Sequence, residues 1–170
     1  MSAIASFYLL PRQQSTNLIA AAQAQTEALT KKKWGLFKPK LPLNPDPLWT
    51  FLLTHAKELI ELPYSGYLLL DADRLAEGVL ASGSPDDLGS KLSKITDSTF
   101  VTYSAESARQ AIKLLESANF SSAQIKEFLD GEDRAAEYPA HVELLQDAAN
   151  CLKGWLKCVT DETTGVLYIG

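Results

Sequence analysis

Asp71 and Asp73 stand two residues apart in "LLLDADRL", directly after a run of leucines. Two acids at the carboxyl end of a strand could hold a Mg²⁺ ion or activate a water molecule. Open α/β sheets favour that edge for ligands. A third acid would have to come from elsewhere, and Glu132 and Glu137 in "GEDRAAEY" are the candidates. The simpler reading makes Asp71 the cap of the following helix and lets Asp73 favour its dipole. "GEDRAAEY" is then a solvated turn.

Other reactive side chains are sparse. The chain has two histidines, His55 and His141, and two cysteines, Cys151 and Cys158. There is no C-x-x-C and neither histidine has ligand-spaced neighbours, so no metal site is expected. The cysteines lie seven apart in one expected helix, a rise of about 10.5 Å, which is too far for a disulfide. They read as buried thiols in a reducing compartment, and the histidines as helix-surface imidazoles. "GSPDDLGSK" (83–91) has five residues between its glycines where a phosphate loop needs four. No G-x-G-x-x-G occurs, so no nucleotide cofactor is expected.

The segment "TKKKWGLFKPKLPLNPDP" (30–47) stands out by charge. Lys31, Lys32, Lys33, Lys38 and Lys40 surround Trp34 and Phe37, and Pro39, Pro42, Pro45 and Pro47 punctuate its second half. Residues 28–45 hold these five lysines and no acid. The other 11 of the 16 basic residues face 21 acids, so the rest of the chain carries −10 against an overall −5. An acidic body disfavours nucleic acid, because phosphates are repelled over most of its surface. A long connection bearing aromatics and lysines suits contact with a protein partner. The expected contact residues are Lys31, Lys32, Lys33, Trp34, Phe37, Lys38 and Lys40, within 31–41. Self-association of two copies is the other use such a segment would serve.

The elements that must position these residues follow from pattern. "AIASFYLL" (3–10), "YSGYLLL" (64–70), "STFVTYS" (98–104) and "GVLYIG" (165–170) read as short strands. Ala- and Gln-rich 14–31 reads as a helix with Leu18, Ala21, Ala22 and Leu29 inward. Proline spacing then keeps 31–47 irregular. Asp46 as cap and Pro47 in the first turn start a helix over 47–62. Further helices are expected over 71–82, 84–95, 105–118 with Ser104 as cap, and near 122–130 with Ser121 as cap. The longest spans 139–160, with Val142, Leu145, Ala149, Leu152, Leu156 and Val159 as its apolar stripe. With 170 residues, 46% hydrophobic and 22% charged, the chain suits one soluble domain. No run is long enough to span a bilayer. The apolar N-terminal stretch has no preceding positive residue, which makes it a poor secretory signal.

The expected fold is α/β or α+β: a small sheet of about four short strands packed by six or seven helices, with a long C-terminal helix and a final strand. The first and last strands, both strongly apolar, belong inside the sheet.

"MSAIASFYLL", "LWTFLL" and "EYPAHVELLQDAANCLKGWLKCVTDETTGVLYIG" resemble the YfbM-like family of small bacterial cytosolic proteins of unknown function. The matching residues are Phe7 or Tyr8, Trp49 to Leu53, Tyr138-Pro139 and Val166 to Gly170, about a third of the chain. The resemblance implies an α/β fold and a bacterial, cytoplasmic setting. It brings no catalytic residues. Together these readings lead to a cytoplasmic interaction protein without catalysis. A hydrolase-like enzyme using Asp71 and Asp73 is the alternative, and weak single-stranded nucleic-acid binding comes after that.

Overall fold

Strands β1 (Ala5–Pro11) and β4 (Thr163–Ile169) pair antiparallel along their whole length, from Ala5 opposite Ile169 to Pro11 opposite Thr163. This ladder is the centre of a four-stranded antiparallel sheet ordered β2-β1-β4-β3. The outer strands are β2 (Lys57–Glu58) and β3 (Thr99–Tyr103). The structure, a computed structural model, describes residues 3–33, 46–59, 62, 65–83 and 88–170. As expected from their apolar character, the first and last strands are interior.

Side chains alternate across the sheet, so each strand feeds two cores. Ala5, Phe7, Leu167, Ile169 and Tyr103 join one core with α3 (Tyr67–Leu75), α5 (Ala105–Ser117), α6 (Ser122–Gly131) and α7 (Ala140–Lys157). Tyr8, Leu10, Val166 and Phe100 join the other with α1 (Ser15–Lys33), α2 (Pro47–His55) and α4 (Leu88–Thr96). Helices cover both faces, which is why the strands read as nearly unbroken apolar runs. Phe7 sits between Tyr103 and Trp155, with ring centroids 6.3 and 5.5 Å away. Gly165 makes room for it, since a Cβ there would lie 2.7 Å from the ring.

The capping signals hold. Asp46 accepts from the Leu48 and Trp49 amides, and Pro47 occupies the first turn of α2. Ser104 and Ser121 cap α5 and α6. The stripe of α7 is buried as expected, with Trp155 added to it.

Several expectations are corrected. Of the segment expected as a strand over 64–70, Tyr64 lies outside the described residues, and the part from Tyr67 onward is the first turn of α3. An apolar run that short does not distinguish a strand from a buried helix, and Leu68, Leu69, Ala72 and Ala76 fall on a helical stripe that faces the core. That helix ends at Leu75, not near 82; turns follow, with Glu77 and Gly78 at positive φ. The helix expected over 47–62 stops at His55. Lys57 and Glu58 instead pair with Leu9 and Tyr8, and the Leu59, Leu62 and Gly66 amides continue along β1 to the Phe7, Ala5 and Ala3 carbonyls. Edge pairing overrides the helix propensity of "AKELIEL". Within α1, Leu18 and Ala22 are buried but Leu29 is exposed. The backbone of α1 continues through Lys31, Lys32 and Lys33, so those three belong to a helix end and not to an irregular connection. Lysine is a good helix former, and positive charge suits a helix C-terminus.

Candidate functional site

The nine residues of α3 carry an acid on their inner face. Leu68, Leu69 and Ala72 pack into the core, and Asp71 shares their side of the helix with its side chain only 7% exposed. A carboxylate so placed needs partners, because desolvation without compensation is costly. They come from the connection between α6 and α7. Arg134 donates through Nη1 to both oxygens of Asp71 at 3.0 Å. His141, in the first turn of α7, places Nε2 3.0 Å from Asp71 Oδ2.

A second carboxylate closes the group from outside. Glu137 sits in the 3-10 turn Ala135–Glu137. Arg134 donates to it through Nε and Nη2, both at 2.8 Å, in a two-pronged contact. Glu137 Oε2 also lies 3.3 Å from His141 Nδ1. Arg134 is thus shared between a buried acid and an exposed one. These contacts hold its guanidinium, already protonated throughout the ordinary range, still more firmly in the charged form, the Glu137 bond foremost and the Asp71 bond next. The Arg134 hydrogen bonds likewise bring the Glu137 carboxyl below its usual range. A neighbouring pair, Arg74 with Glu132 at 2.8 Å, links the exposed side of α3 to the same connection.

Asp73 has a different partner. It accepts the Leu80 amide at 2.6 Å and so ties down the turns after α3. Tyr103, buried beneath them, donates to the Val79 carbonyl at 3.3 Å. Its phenol is pushed well above the ordinary range by burial and, secondarily, by Asp73. Residues two apart on a helix do not share a face. Asp71 and Asp73 therefore do not converge on one ligand. Nor does Asp71 cap a helix, since it is the fifth residue of α3.

The other expected residues are placed apart. His55 is on the exposed end of α2 with its ring 4.7 Å from Phe51. Cys151 is half-buried and Cys158 exposed, both free. This corrects the expectation of two buried thiols: Leu152, Trp155 and Leu156 take the inward positions of α7, and the cysteines fall beside them. Burial raises the Cys151 thiol, which makes it a poorer nucleophile. Among the described residues no group of three or more His, Cys, Asp or Glu is arranged to hold a metal ion. Trp34, Phe37, Lys38 and Lys40 lie outside the described residues; Lys31, Lys32 and Lys33 are placed only as the last turn of α1.

A surface hollow of about 180 Å³ is lined by Leu115, Phe120, Gln146, Ala149, Asn150 and Lys153. It is smaller than the roughly 300–1,000 Å³ of usual small-molecule sites, and none of the clustered acids lines it. Among the described residues no helix is long and apolar enough to cross a membrane. No protein-family model, curated protein or solved structure matches the chain.

Arg134 escaped sequence reasoning, and His141, expected as a helix-surface imidazole, instead packs against Asp71 with its side chain 11% exposed. The signal was there once 67–75 is read as helix, because Asp71 then falls on an apolar stripe. A buried acid implies a cationic partner, and "RAAEYPAH" holds an Arg, a Glu and a His within eight residues.

Proposed function

We propose that this chain is a binding protein without catalysis, and that it engages a protein partner through the basic, aromatic-bearing residues 31–41. The observation that carries this reading is charge segregation: five lysines without an acid in 28–45, against −10 for the remainder. Two arrangements in the fold support it. Gln25 of α1 donates to Asp46 and accepts the Leu48 amide at 3.1 Å, so the start of α2 is tied to α1. Among the described residues, Asp71 and Glu137 gather with His141 in a group closed on itself, Arg134 taking up oxygens of both acids. Acids engaged in this way serve packing better than proton transfer. The likeness of both chain ends to YfbM-like proteins belongs to the same proposal, as does a bacterial, cytoplasmic setting.

Capture of partners by the intact chain, compared with one lacking residues 31–41, tests the reading. A partner lost with the segment supports it, and a second copy of the chain is one admissible partner. Identical partner sets from the two chains remove the segment from the account.

A further inference from the structure

The surface hollow of about 180 Å³ lies between the end of α5 and the middle of α7. Its apolar lining comes from three places: Leu115 of α5, Phe120 in the connection after it, and Ala149 of α7. Its polar lining comes from α7. Gln146, Asn150 and Lys153 follow one another at spacings of four and three, so they share a face of that helix.

Two of these three side chains are engaged. Gln146 donates through Nε2 to the Phe120 carbonyl at 2.7 Å, which fixes the connection after α5 against α7. Lys153 Nζ lies 3.3 Å from Glu116 Oε1, a second tie between α7 and α5. The hollow is therefore held by cross-links and does not have to be assembled on binding. Asn150 stands between them on the helix. It is exposed, and its side chain makes no hydrogen bond to another described residue. A carboxamide has two donors and an accepting oxygen, so Asn150 offers a donor–acceptor edge at the hollow.

Charge and size narrow the occupant. Among the described residues lining the hollow, Lys153 alone is charged, and Glu116 balances it. An added anion would face Glu116 and an added cation Lys153, so a neutral ligand fits best. An apolar cavity of about 150 Å³ admits benzene, so the hollow has room for one six-membered ring with a small substituent. The aromatic ring of Phe120 favours a flat ligand.

We propose that this hollow binds a neutral, single-ring planar amide, its ring on Leu115, Phe120 and Ala149 and its amide edge on Asn150. The site is independent of the contact proposed for residues 31–41. A surface hollow of this size covers only part of its ligand, so the affinity is weak, with a dissociation constant on the order of 1 mM.

Benzamide is the probe, added to the native chain while backbone amide shifts are followed. Saturable shifts are expected at Leu115, Phe120, Ala149 and Asn150, nearly complete by about 20 mM. Lack of saturation there overturns the site, and is also what a hollow reserved for a partner's side chain would give. Benzoate and benzamidinium match benzamide in size and differ in charge. Each should bind about tenfold more weakly, and equal binding by either overturns the assignment of a neutral ligand. Asn150→Ala removes an exposed side chain and leaves the core intact. It should weaken benzamide about fivefold, the effect of one hydrogen bond, and unchanged affinity in that variant overturns the role of the Asn150 edge.

Discussion

Arg134 offers one guanidinium to two carboxylates of unequal exposure, Asp71 at 7% and Glu137 at 43%, and the two contacts should differ in worth. Removing Arg134 leaves a buried acid without its guanidinium partner. Arg134→Ala should therefore cost about 3 kcal/mol, read from urea unfolding. Glu137→Gln should cost under about 1 kcal/mol, because an exposed pair is screened by water. The Glu137 pair also sets an acid limb. Its carboxyl is held below the ordinary 4.5, first by the Arg134 hydrogen bond. A lowered acid stabilises above its unfolded value, and that contribution is lost as pH falls through the folded one. From about pH 5 down to about pH 3 the native chain should lose more thermal stability than Glu137→Gln, and equal losses would remove the pair from the acid response. Little of this cluster was legible in the sequence. Asp71 drew notice for its type, but a strand reading of "GYLLL" put it at a sheet edge beside Asp73. Only a helical turn there sends the two acids to different partners.

At the scale of elements, α4 lies against the outer edge of β3 and is fitted to it by two small residues. A Cβ on Gly89 would come within 2.9 Å of the Phe100 carbonyl oxygen and 3.1 Å of the Thr102 nitrogen. Ser93 accepts the Phe100 amide at 2.8 Å, standing in for a missing neighbour strand. An edge covered in this way cannot recruit another chain. Gly to Ala within a helix ordinarily gains close to 1 kcal/mol. Here the backbone contact should reverse the sign, and Gly89→Ala should destabilise by about 1–3 kcal/mol in denaturant titration. A stabilised variant would refute the close approach. Ser93→Ala should cost about 1–2 kcal/mol by orphaning the Phe100 amide. Most elements were readable where a period and a cap agreed: Ser104 with α5, Ser121 with α6, Asp46 and Pro47 with the start of α2, and the heptad-like stripe of α7. The failures came where tertiary pairing decided the outcome. "AKELIEL" has the composition of a helix, yet Lys57 and Glu58 are recruited by β1. Nothing local signals that choice.

Over the whole molecule, helices pack on both faces of the sheet, and Phe7 is a point where strands and helices meet. Truncating it removes contacts with Tyr103 and Trp155 together, so Phe7→Ala should cost about 3–5 kcal/mol and lower cooperativity. Charge is the remaining large-scale asymmetry, and the proposed partner contact rests on it. The most direct measurement is equilibrium binding of a captured partner to the native chain and to one with Lys31, Lys32, Lys33, Lys38 and Lys40 all changed to Gln, each over a range of salt. The account predicts at least tenfold weaker binding by the variant, about 1.4 kcal/mol, with a flatter dependence on salt because fewer charges are screened. Equal affinity and equal salt dependence in the two chains would contradict it.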